Sequence, residues 1–239
     1  LKFDHPRDVH VWQVTCSQID HLYDYYVSLL DDNERRRAER YIYREKARRF
    51  YLAHGWVRCL LSRYLSGIDP QGIDFIYAEN GKPSLRLEQS SDHVNFNFSH
   101  SNDSIMCGVC SFGELGVDIE HHRSHDVLYM KSLARHALTP RELDHMDSCD
   151  DSRLSDFFYR QWVRKESVAK ALGCGIYDVT ASVDVRQSIA TIDGELDEVF
   201  VESVACCHIQ NVLTYPGYSA ALTTTFPVTG VWHCDSSQH

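Results

Sequence analysis

Apolar and polar residues alternate through residues 9–14, "VHVWQV", the period-two pattern of a strand with one buried face. Beyond Asp31 and Asp32, either of which is placed to cap a helix, the period lengthens. Apolar positions at Tyr41, Phe50, Leu52, Trp56, Leu60 and Leu61 predict a long helix or a helix pair reaching about Leu65. The stretches "GIDP" and "ENGKP" carry turn chemistry. Alternation returns in "VNFNFSHS" up to Ser99. "SIMCGVCSF" and "GELGVDIEHH" follow, and the three predict an antiparallel group.

In the second half, "VLYMKSLARHAL" has helical spacing, and Thr139, Pro140 and Glu142 then occupy the N-cap, N1 and N3 positions of another helix. Past "SCDDS", a long helix is predicted from about Leu154 to Leu172, stopped by Gly173. The C-terminal third alternates as short strands ("ASVDV", "SIATI", "EVFVESV", "YSAALTT"), and "HCDSSQH" reads as a frayed tail. Each half thus holds helices and a small antiparallel sheet. The pattern predicts an α+β fold of two similar, pseudo-twofold-related lobes, with an active site in the cleft between them. The polar stretch from His121 to Asp126 marks the midpoint. The lobes are expected at 1–117, with the basic helix and the "GKP" and "NFSHS" motifs, and at 118–239, with "GVDIE" at the boundary and the "WVRKESVAK" helix. No letter-by-letter repeat accompanies the symmetry.

Composition narrows the class. The chain has 239 residues, 43% hydrophobic and 24% charged, as in an ordinary globular protein. No apolar run approaches the ~18–20 residues of a membrane span. The start, "LKFDHPRDVHVW", lacks the charged-then-apolar order of a secretory signal and, having no initiator Met, reads as trimmed. Nine cysteines is an odd number without framework spacing. Cys107 and Cys110 form a C-x-x-C, but in a strand i and i+3 face opposite ways, so a shared metal or redox pair is not expected. The cysteines read as reduced core residues of a cytoplasmic protein.

A formal net charge of −10 argues against nucleic-acid binding. The positive charge is nevertheless concentrated in Arg35, Arg36, Arg37, Arg40, Arg44, Lys46, Arg48 and Arg49. Such a run is either a solvated helix face or a local grip on something anionic.

Four further stretches carry candidate chemistry, each with a plain structural alternative. In "GVDIE", Asp118 and Glu120 share one face of a strand end while Val117 and Ile119 point to the core. Two adjacent carboxylates repel unless a cation joins them, as in a Mg²⁺ site for phosphate chemistry; the alternative is an exposed acidic edge. In "NFSHS", Ser99, His100 and Ser101 stand at a strand-to-turn junction, able to donate to a phosphate or to satisfy local structure. In "NGKP", Lys82 on a tight turn can reach a phosphate or simply be solvated. In "WVRKESVAK", Glu166 and Lys170 lie one helical turn apart, either as a routine i,i+4 pair or as a catalytic carboxylate beside a cation.

Taken together, with 43 residues between Asp118 and Trp162, these motifs closely resemble the 4′-phosphopantetheinyl transferases. That family combines a G-x-D-x-E element with an aromatic-x-x-K-E-[S/A]-x-x-K helix some forty-odd residues on. The resemblance also takes in "GKP", "NFSHS" and the arginine-rich helix, spanning roughly Leu29 to Leu222. With two lobes in one chain, it is similar to the monomeric class that activates nonribosomal peptide and polyketide synthetases. The resemblance implies that Asp118, Glu120 and Glu166 hold Mg²⁺, Glu166 serving as third ligand, general base, or both. It further implies that Lys170 neutralises charge at the reacting phosphate. Lys82, Ser99 and His100 match positions contacting the coenzyme A diphosphate region, and Arg37 and Arg49 the 3′-phosphate end. Glu142 occupies the place of a further acid that some relatives hold near the metal. Two positions depart from the pattern: Val163, where Ser, Thr or Cys is usual after the aromatic, and Glu34, where some relatives place a lysine.

The chemistry so implied is attack of a carrier-protein serine on the β-phosphorus of coenzyme A, with adenosine 3′,5′-bisphosphate leaving. Glu166 suits removal of the serine proton, while Lys170 and His100 suit stabilisation of the leaving oxygen. Two other classes fit parts of the same pattern: a Mg²⁺-dependent phosphodiesterase acting on nucleotides or coenzyme A, and a non-catalytic module binding an acidic partner through the 35–49 arginines.

Overall fold

The computed structural model describes residues 1–78, 81–86, 93–180, 183–185, 197–201 and 204–235. The chain is α+β and divides into two compact units, residues 1–112 with the C-terminal residues from Val231, and residues 113–230.

In the first unit, β1 (Asp8–Thr15) is followed by α1 (Cys16–Ile19), α2 (Tyr23–Leu29), α3 (Asp32–Glu39) and α4 (Arg44–Ser62). A hairpin of β2 (Phe75–Tyr77) and β3 (Pro83–Leu85) precedes β4 (Asn95–Ser101) and β5 (Ser104–Cys110). The predicted helical stretch is thus a pair. Asp31 caps α3 in a capping box with Glu34. Alternate strand residues and one stripe of α4 close on each other, and Trp12, Val14, Leu52, Trp56, Leu61 and Ile105 form the core. Cys107 and Cys110 are buried free thiols on β5.

The second unit contains β6 (Leu115–His121), α5 (Val127–Ala137), α6 (Pro140–Asp147), α7 (Leu154–Leu172) and α8 (Ile176–Thr180). Then come β7 (Asp197–Val201), β8 (Val204–Asn211) and β9 (Tyr218–Thr224). Thr139 caps α6 in a capping box with Glu142, Pro140 starting the helix. Gly173 ends α7 at φ 67°, a left-handed position open to glycine at little steric cost.

Three strand expectations are corrected. The strand of "GVDIE" does not join its two predecessors. In the first sheet, ordered β10-β1-β5-β4, both edges of β5 are taken, whereas β6 lies in the second sheet, ordered β6-β9-β8-β7. The two units part at Phe112/Gly113, a few residues upstream of the 117/118 division read from the sequence, and β6 pairs along its length with β9. Of the supposed frayed tail, residues 233–235 belong to β10 (Gly230–Asp235), which lies beside β1, and 236–239 lie outside the described residues. Of the other predicted strands, residues 183–185 of "ASVDV" are not a strand, and "SIATI" lies outside the described residues. No helix among the described residues is long and apolar enough to cross a membrane.

Candidate active site

In the second unit, α7 lies on β6 at unusually close range. A Cβ added to Gly116 would sit 2.1 Å from the Ser167 carbonyl oxygen and 2.4 Å from the Ala171 nitrogen. Only a residue without a side chain permits that approach. Two residues on, the buried Asp118 faces the same helix, and Lys170 Nζ donates to Asp118 Oδ1 at 2.6 Å and to the Val117 carbonyl at 3.1 Å. Glu120 follows, half-buried, on the same face of β6. Beyond it His122 Nε2 lies 2.8 Å from Ser219 Oγ, with Nδ1 3.2 Å from Asp156.

Glu166 is half-buried on α7, and its carboxyl is pushed up to about 7. Burial is the largest cause. The negative charge of Asp118 adds to it, Lys170 opposes it, and Glu120 contributes a further push. The three carboxylates expected to act together therefore share one electrostatic neighbourhood, joined by Lys170. The ion-pair partner of Lys170 is Asp118 across the seam, and its charge also reaches Glu166.

Among the described residues no three His, Cys, Asp or Glu groups already stand at metal-ligand spacing. The donor set nonetheless suits a hard dication. It offers oxygen ligands alone, and the charges of Asp118 and Glu120 add to burial in opposing ionisation of Glu166, a cost that a dication relieves.

The other residues of the motif helix are structural. Trp162 stacks against Phe158 at 6.3 Å between ring centroids, and Val163 is buried. Lys165 is fully buried against Glu142. Glu142, placed by resemblance near a metal, accepts from Lys165, from Thr139 N and from Val185 N, so its carboxylate is engaged in the core.

In the first unit, the Arg37 guanidinium lies 4.7 Å from the Tyr77 ring centroid and 5.7 Å from that of Phe50. Tyr77 pairs with Pro83, so Arg37 is held against the hairpin that carries Lys82. Arg49, one turn beyond Glu45 on α4, pairs with it at 3.3 Å. Ser99 is buried and His100 exposed on β4, just before the tight Asn102 turn.

Several cations of the arginine run have structural partners. Arg35 donates to the Leu30 carbonyl, Arg36 to Asn33, and Arg48 pairs with Asp20 at 2.7 Å. Glu34, the departure from the family pattern, is fully buried. It accepts from Arg58 (2.7 and 2.9 Å) and bonds His54 Nδ1 at 2.8 Å, tying α3 to α4. Sequence reasoning missed this network. Its one visible trace was a Glu three residues after Asp31, the capping-box spacing.

Residues 114–223 match the family model described as the 4′-phosphopantetheinyl transferase superfamily, and residues 11–110 match the one described as 4′-phosphopantetheinyl transferase, N-terminal. The chain is 33% identical over 169 residues to the 4′-phosphopantetheinyl transferase HetI of Nostoc sp., covering 71% of this chain and 70% of that one. It is 30% identical over 188 residues to a 4′-phosphopantetheinyl transferase of Bacillus subtilis, covering 69% and 80%. With the transferase AcpT of Escherichia coli K12 the identity is 31% over 172 residues, covering 72% and 74%. The chain belongs to the 4′-phosphopantetheinyl transferase superfamily. It is accordingly an enzyme of the transferase class.

Proposed function

We propose that this enzyme moves the 4′-phosphopantetheine moiety from coenzyme A to a serine hydroxyl of an acyl or peptidyl carrier protein, releasing adenosine 3′,5′-bisphosphate. The carrying observation is the β6–α7 seam, where Asp118, Glu120 and Glu166 share one field and Lys170 is hydrogen-bonded to Asp118. Family membership supplies the reaction. The seam supplies groups of the kind that reaction needs.

Asp118, Glu120 and Glu166 would hold Mg²⁺, which when bound supplies Lewis-acid stabilisation of a diphosphate. Glu166 is suited to accept the serine proton, directly or through water. Lys170, cationic and part-exposed, would stabilise charge on the leaving oxygen, with His100 as a second donor. Lys82 and Ser99 would contact the diphosphate region. Arg37 and Arg49 would grip the 3′-phosphate, for which planar multidentate donors are suited. The cleft, the pseudo-twofold relation of the lobes, the monomeric state, a cytoplasmic location, and carriers belonging to nonribosomal peptide or polyketide synthetases are parts of the same proposal.

The test is intact-mass analysis of an apo carrier domain incubated with this protein, coenzyme A and Mg²⁺. A serine-linked phosphopantetheine adduct is expected. Hydrolysis of coenzyme A without any adduct would identify a phosphodiesterase instead.

A further inference from the structure

Arg164 and Lys165 directly precede Glu166, yet both are fully buried and both hold the segment that follows α8. Arg164 Nε donates to the Val185 carbonyl at 2.8 Å. Lys165 Nζ donates to the carbonyls of Thr180 (3.1 Å) and Val183 (2.5 Å) and lies 2.9 Å from Glu142 Oε2. Glu142 in turn accepts from Thr139 N at 2.7 Å and from Val185 N at 2.9 Å. A buried ammonium with three acceptors, facing a buried carboxylate with three donors, makes a joint with little freedom. It connects α7 to α6 and to residues 183–185.

Neighbouring residues on a helix are about 100° apart, so fixing Lys165 also fixes the direction of Glu166. At a side-chain radius of ~6 Å, a helix rotation of about 10° displaces a carboxylate by roughly 1 Å. Errors of that size cost on the order of 100-fold in rate at a reacting centre. We propose that Glu142 and Lys165 are positioning residues for the transfer reaction: their ion pair holds α7 at the rotation that turns Glu166 toward the β6 carboxylates. The inference rests on the transferase reading above. Both side chains are fully buried, so each would act through α7 rather than on substrate.

Lys165→Met alone leaves a buried uncompensated carboxylate and is expected to lower the melting temperature sharply. The double variant Glu142→Gln, Lys165→Met removes both charges at nearly constant volume and is expected to regain much of that stability. In the folded double variant, kcat for carrier modification should fall at least tenfold while the KM for coenzyme A changes less than twofold. Glu166→Gln added to that background should then cost less than in the wild type, the mark of coupled residues. Mg²⁺ affinity, measured by calorimetry without carrier, should weaken at least threefold. Wild-type kcat together with wild-type Mg²⁺ affinity in the folded double variant overturns the proposal. Should the double variant not fold, Glu142→Asp takes its place. It keeps the charge but withdraws it by one methylene, and the same falls or their absence decide. If the wild-type chain modifies no carrier, the transferase reading fails, and the Mg²⁺ titration alone decides the role of the pair.

Discussion

Lys170 Nζ lies 2.6 Å from Asp118 Oδ1, a contact possible because Gly116, two residues earlier on the same face of β6, lets α7 approach. Gly116→Ala places its methyl against backbone atoms of Ser167 and Ala171, which cannot rotate aside. We expect a stability loss of about 1–3 kcal/mol, as for overpacked cores. A fall in kcat beyond that explained by unfolding is also expected, since Lys170 and Glu166 retreat with the helix. A thermal melt beside a carrier-modification assay checks both, and unchanged values in each would mean that the seam is looser than the structure shows.

Glu166→Gln keeps the side-chain shape and removes its charge. Coenzyme A should still bind, while turnover falls by at least ~10²-fold, the low end for a positioned general base. Raising Mg²⁺ distinguishes the two roles: a weakened ligand set is partly rescued, a missing base is not. A folded variant with wild-type turnover would make the carboxylate structural.

Replacing Arg37 and Arg49 together by Gln should weaken coenzyme A more than tenfold and dephospho-coenzyme A far less. Charge-assisted phosphate contacts are worth about 1.5–3 kcal/mol each. Calorimetry with the two ligands measures the difference directly. Equal losses would remove both residues from the 3′-phosphate end.

Acid should weaken the first unit through Glu34 and His54. Burial opposes ionisation of Glu34, but the His54 hydrogen bond and the charges of His54 and Arg58 outweigh it and hold the carboxyl below its usual range. Burial pushes His54 below its ordinary 6.5, against the pull of Glu34 and with a smaller push from Arg37 and Arg58. For both groups the unfolded chain binds protons that the folded chain resists. Stability is therefore lost as pH falls, first below about 6.5 through His54 and then through the folded value of Glu34. Urea midpoints at about pH 7.5 and about pH 5.5 should differ more for the wild type than for His54→Gln. Identical differences would show that His54 does not contribute.

Local chemistry alone determined much of this protein. A capping box and Pro140 start α6, Gly173 stops α7, and period-two alternation marks β1, β4 and β9, because caps, stops and strand faces depend on residues a few positions apart. The spacing of Asp118 and Glu120 likewise put two carboxylates on one strand face. What the sequence could not distinguish were chemically equal residues in different surroundings. Lys165 and Lys170 share one motif, yet the first is locked in a core ion pair and the second faces the carboxylates of β6. Glu34 and Glu142 look like exposed helix-start acids, and both are fully buried. Strand partners also escaped, since β6 joins β9 about a hundred residues away and β10 reaches back to β1. Pairing and burial are set by contacts distant in sequence, and these exist only once the chain has closed on itself.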